Sequence, residues 1–174
     1  MKIMPQLEIS DLSVHYSTSH GSVHALGNIE FRLGDGESIG IAGESACGKS
    51  TLGLSIMRMI QGGRIVSGKI VFDRESILEI SSSKFDKNIR WKKISMVFQG
   101  AMNSLDPVFT IEHQFDEVLK QHKFKGDSDK VISDAVRSVN LDSSVLKKYP
   151  HELSGGMKQR IVIAMALLLK PKFV

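Results

Sequence analysis

The chain has 174 residues, 41% hydrophobic and 24% charged, enough for one sizeable core. A net charge of +4 is an ordinary solvated surface, and one cysteine excludes an intrachain disulfide or a multi-cysteine metal centre. Lys120, Lys123, Lys125 and Lys130 are interrupted by Asp127 and Asp129 and lack interleaved aromatics, so no nucleic-acid surface is expected.

The first ten residues, MKIMPQLEIS, lack the apolar stretch of a signal peptide. Residues 6–35 predict short antiparallel strands, "LEISDLSVHY" and "GSVHALGNIEFRL", joined by a Ser/His/Gly turn. Asp35-Gly36 marks the next turn. "ESIGIAG" predicts a short strand running into a glycine loop. Leu52, Ile56, Met57 and Ile60 then have helical spacing, stopped by Gly62-Gly63. Residues 64–72 predict a strand, 74–92 a polar and loop-rich stretch, and "KISMVFQ" (93–99) a buried strand.

Further on, Ile111, Phe115, Val118 and Leu119 share one helical face. Val131, Ile132, Ala135, Val136 and Val139 share another. The spacing predicts amphipathic helices over 111–122 and 129–140. Ser154 suits the N-cap of a helix reaching Leu169, with Ile161, Ala164, Met165 and Leu168 buried and Pro171 ending it. The longest apolar run, Ile161–Leu169, is nine residues against the ~20 of a membrane span, so it reads as core helix. "KFV" after Pro171 reads as the start of a hydrophobic strand.

"GESACGKST" (43–51) fits the phosphate-cradling pattern G-x-x-x-x-G-K-[ST]. Between a strand and a helix, the backbone N–H groups of residues 45–50 can converge on phosphate oxygens, aided by the helix dipole. Gly43 and Gly48 allow the tight turn, with Glu44, Ser45, Ala46 and Cys47 between them. Lys49 can reach the β- and γ-phosphates, Ser50 is placed for Mg²⁺, and Thr51 for the α-phosphate. Cys47 is either a small filler pointing away or a reactive thiol beside the phosphates.

"LSGGMKQR" (153–160) is a second anion-seeking helix start, formed by Ser154, Gly155 and Gly156. With this pair of motifs the chain resembles the ATPase subunit of ABC transporters. The resemblance implies ATP and Mg²⁺ as cofactors and a head-to-tail pair of subunits, homo- or heteromeric. The signature of one would cap the γ-phosphate held by the other. Tyr16 matches the aromatic that stacks on adenine, and Gln99 the glutamine that contacts Mg²⁺ and the attacking water. Lys49 and Gln99 are thus the implied catalytic residues; Ser50 and Gln99 are the implied metal contacts.

"FQGAMNSLDPVFTI" and "YPHELSGGMKQRIVIAMALLLKPK" resemble the oligopeptide/dipeptide importer branch, whose relatives also carry nickel. That branch more often has Gly where Ala46 or Cys47 stands. It implies a contact with membrane permease subunits around Met102–Phe109 and a peripheral place on the cytoplasmic face of the cell membrane.

The expected fold is α/β: a P-loop NTPase core with an incomplete sheet, a small N-terminal antiparallel β subdomain and an inserted α-helical subdomain. As one ABC ATPase domain over 1–174, its parts would be about 6–35 (antiparallel β), 36–105 (P-loop core), 106–153 (helical subdomain) and 154–170 (signature helix). The family's next segment, a strand ending in Asp-Glu, is expected beyond Val174. The 174 residues alone are therefore expected to bind nucleotide, hydrolyse it poorly and self-associate. The alternative function is a soluble ABC-type ATPase not coupled to transport. A P-loop phosphotransferase would leave LSGG unexplained.

Overall fold

The structure, a computed structural model, describes residues 6–19 and 21–174. The reading of the first five residues and of His20 in the expected turn lies outside the described residues. The chain divides into two compact units, Met1–Phe85 and Asp86–Val174.

In the first unit, strands β1 (Leu7–Thr18), β2 (Gly21–Leu33), β3 (Gly63–Phe72) and β4 (Glu75–Ser76) form one sheet in the order β2-β1-β3-β4. Every neighbouring pair is antiparallel. The apolar alternation of Leu7, Ile9, Ile70 and Phe72 places these side chains in the core. Register shifts between Ile9 and His15, with Asp11 at φ 50°, break the alternation, so Leu12, Ser13 and Val14 are all buried.

Helix α1 (Lys49–Ile56) stops earlier than the apolar spacing predicts. Arg58 has a left-handed φ of 53°, and two bonds close the end: Arg58 N–H to Ser55 O (3.1 Å) and Met59 N–H to Leu54 O (2.8 Å). That is a Schellman end made without glycine. The Arg58 guanidinium holds it there, donating to Ile77 O (3.1 Å) and Ile80 O (2.8 Å) and lying over the Phe85 ring. Phe85 is buried on α2 (Ser82–Asn88), a short helix within the stretch expected to be loop-rich.

The second unit is built on α3 (Ile111–Gln121), α4 (Ser128–Ser138) and α5 (Gly155–Leu167). Each begins on a side-chain cap: Thr110 accepts from His113 N–H, Asp127 from Lys130 N–H and Ser154 from Met157 N–H. Lys123 and Asn140, both left-handed, close α3 and α4 by the same paired bonds seen at Arg58. Phe115, Leu119, Ile132, Val136, Ile161 and Leu168 meet in one core. The amphipathic reading of α3 and α4 is thus realised; the core helix α5 ends at Leu167 rather than Leu169, and of its expected buried stripe Met165 is only partly buried.

Two expected core strands differ. Residues 37–43 form no ladder, and Ile39 and Ile41 are 45% and 49% exposed. Residues 93–99 contribute only isolated parallel bridges, Ile94 to Arg90 and Ile94 to Phe173. An apolar run becomes a strand only when a neighbour supplies the other half of its ladder. Phe173 does begin such pairing, as "KFV" predicts: Ser95 N–H donates to Phe173 O (2.9 Å) and Phe173 N–H to Lys93 O (3.0 Å).

Phe115 has no exposed surface. Phe115→Ala is expected to destabilise the second unit by about 3–5 kcal/mol, read by chemical denaturation.

Candidate functional site

The glycine loop lies in the first unit. Left-handed residues at Ala46 (φ 65°) and Gly48 (φ 96°) curl the backbone. Such a curl lets successive N–H groups converge on an anion. Gly48 is the α1 N-cap, with Leu52 N–H bonded to Gly48 O (2.9 Å). A Cβ at Gly48 would stand 2.4 Å from Ala25 O, and one at Gly43 would stand 2.7 Å from Cys47 Sγ. Space requires a glycine at Gly48, where the neighbour is main chain; at Gly43 the Cys47 side chain would have to turn aside.

Lys49 turns back over the loop. Its ammonium donates to Gly43 O (2.7 Å), Glu44 O (2.6 Å) and Cys47 Sγ (3.3 Å). The Cys47 thiol therefore faces the lysine rather than pointing away, and the residue is exposed. Ser50 is exposed and Thr51 half-buried at the start of α1. The Thr51 carbonyl accepts from Ser55 Oγ (2.6 Å). Glu44, Ser45 and Ala46 line the exposed outer turn.

Tyr16, half-buried on β1, belongs to the same unit, opposite Val23 on β2 and Gly63 on β3. Its neighbour His15 stacks on His24 with ring centroids 3.8 Å apart, opposite Arg64. Desolvation, then the charges of His24 and Arg64, hold the His15 pKa below its usual 6.5. The sequence does not announce this stack, because the β1 register shifts decide which residues face each other.

Gln99, Ser154, Gly155 and Gly156 lie in the second unit and are exposed. Gln99 precedes left-handed Gly100 (φ 75°) and the 3-10 turn Ala101–Ser104. Gly155 and Gly156 form the first turn of α5, where Gly156 O accepts from Arg160 Nε (3.4 Å). Arg160 also donates to Asn140 O (3.1 Å).

Within the segment Met102–Phe109, the side chain of Met102 lies outside the described residues. Leu105 is buried, while Val108 is 69% exposed. Gln114, a buried polar residue that the sequence reading passed over, shapes this loop. Its Oε1 accepts from Asp106 N–H (3.0 Å), and its Nε2 donates to Asp106 O (3.0 Å) and Phe109 O (3.1 Å). The available signal was an amide on the apolar face of α3, between Ile111 and Phe115.

The ABC transporter family profile matches residues 26–174. The chain belongs to the ABC transporter family. It is 38% identical over 173 residues to the oligopeptide transport ATP-binding protein OppD of Escherichia coli (strain K12), covering 97% of this chain and 51% of that protein. It is 36% identical over 174 residues to the probable peptide ABC transporter ATP-binding protein y4tR of Sinorhizobium fredii, covering 97% and 52%. The chain thus spans about half the length of these relatives. Among solved structures it is similar to a dimeric post-hydrolysis state of the ATP-binding cassette MJ0796 bound to ADP and Pi. There the TM-score is 0.81 at 25% identity, over 95% of this chain and 70% of that one. For cbiO1 of Clostridium perfringens, part of the cbiONQ complex, the TM-score is 0.75 at 27% identity, over 97% and 63%. The α/β cassette fold expected from the motifs is the fold observed.

Because the His15 pKa is depressed on folding, its contribution to stability is present above pH 6.5 and is lost as pH falls through the lower folded value. His15→Gln is expected to flatten the fall in denaturation midpoint between pH 7.5 and 5.5 by about that contribution.

Proposed function

We propose that the chain is the ATP-binding, ATP-hydrolysing part of an importer subunit for di- or oligopeptides. The observation that carries this is the Lys49 ammonium lying inside a curled glycine loop at a helix start. The peptide branch is supported by the relatives named for oligopeptide and dipeptide transport.

The residues fit ATP and Mg²⁺. Gly43 and Gly48 leave room for a close backbone approach, and Lys49 supplies a movable cation for phosphate oxygens. The Ser50 hydroxyl, at the start of α1, would contact the magnesium, which compensates phosphate charge when bound. Glu44, Ser45, Ala46, Cys47 and Thr51 complete the phosphate loop, and Tyr16 would stack on the base.

Phosphoryl transfer is governed by positioning and charge compensation. Ser154, Gly155 and Gly156 would supply N–H groups to the triphosphate of a second, head-to-tail subunit, identical or different. A dimeric relative of the same fold supports such pairing. The segment Met102–Phe109 would meet membrane permease subunits, holding the protein at the cytoplasmic face of the membrane. Among the described residues no helix is long and apolar enough to cross a membrane, which suits attachment through a partner.

Lys49→Ala in the full-length protein is expected to weaken ATP binding by about ten-fold or more and to abolish ATP-driven peptide uptake. Equilibrium binding and uptake assays check this; unchanged values would refute the assignment.

A further inference from the structure

Gly62 and Gly63 are adjacent but serve different ends. Gly62 has a left-handed φ of 71°, and a Cβ there would meet nothing within 4 Å, so it is the turn residue. Gly63 needs no such φ. A Cβ there would stand 2.8 Å from Ile60 Cγ2, 2.8 Å from Tyr16 Cε1 and 2.9 Å from Tyr16 Cδ1. The aromatic ring and the isoleucine converge on the space a methyl would fill. Tyr16 and Gly63 are also direct cross-strand partners. On the other side, Tyr16 faces Val23, which is largely exposed. The ring and the Ile60 side chain therefore both border the space over Gly63.

We propose that Gly63 is a positioning residue for nucleotide recognition: its missing side chain lets the Tyr16 ring lie across β3 in the attitude that receives a base. This rests on the reading of Tyr16 as the base-stacking aromatic. The ring is planar and turns about two bonds, so a methyl beneath it displaces the stacking face rather than a flexible tip. Stacking on one aromatic is a short-range contact, lost when the plane tilts. The phosphate loop, which makes no use of that plane, is left intact.

The test is equilibrium binding of ATP and of inorganic tripolyphosphate to the full-length protein, in wild type, Gly63→Ala, Tyr16→Leu and the double variant. Gly63→Ala is expected to weaken ATP binding about ten-fold and leave tripolyphosphate binding unchanged. On the Tyr16→Leu background it is expected to change ATP binding no further. Equal weakening of both ligands, or an equal loss of ATP affinity on both backgrounds, would overturn the proposal in favour of a packing role. If Tyr16→Leu does not lower the preference for ATP over tripolyphosphate, the base-stacking reading fails, and this proposal with it. Should Gly63→Ala not fold, the cycle is run on Ile60→Ala/Gly63→Ala, where the methyl has room beside residue 60 but still meets the ring. Weaker ATP binding with unchanged tripolyphosphate binding supports the proposal there, and unchanged ATP binding overturns it.

Discussion

The contact on which the nucleotide loop depends is the close approach of Gly48 to β2. A hydrogen in place of a side chain lets the start of α1 press against Ala25 O and Leu26. The same residue turns the backbone through a left-handed φ of 96°. A side chain here would be strained twice, by conformation and by collision with main chain, which cannot move aside as a rotamer can. The loop before Gly48 is thereby fixed to the sheet, and the sheet carries Tyr16. Tyr16 and the glycine loop thus belong to one compact unit.

The two anion-seeking helix starts divide between the units. The start of α1 opens from the glycine loop; the start of α5 is capped by Ser154 and exposed. A helix N-terminus with free N–H groups attracts an anion whichever chain supplies it. The ordered cap at Ser154 means that α5 needs no ligand to define its first turn.

The helical unit was legible because its signals are local. Apolar residues three and four apart set the buried faces, and Thr110, Asp127 and Ser154 stand where caps belong. The helix ends were less legible, since Arg58, Lys123 and Asn140 close them in a conformation for which glycine is the usual marker. Strands 37–43 and 93–99 were misjudged for a different reason. Their apolar character is local, but a ladder needs a partner elsewhere in the chain. The curl of the glycine loop into α1 was legible, because its glycines and Lys49 are contiguous, while the strand expected before it was not. The Tyr16–Gly63 seat and the His15–His24 stack were not, because both depend on cross-strand register that bulges in β1 reset.

The segment before α3 shows how a buried polar group can define an exposed surface. A connecting loop exposes apolar residues at random, and one such side chain carries little meaning. Here Gln114 is buried and spends both ends of its amide on Asp106 and Phe109. Asp106 adds a carboxylate that accepts from Val108 N–H (3.0 Å), and Phe109 stacks on His113 of α3. Burying an amide is favourable only when its donors and acceptor are matched. The matching here fixes main-chain groups on either side of Val108. The loop is held in one shape at its base while Val108 stands out from it. The order of this loop therefore comes from the buried amide of Gln114 and not from the exposed Val108 side chain.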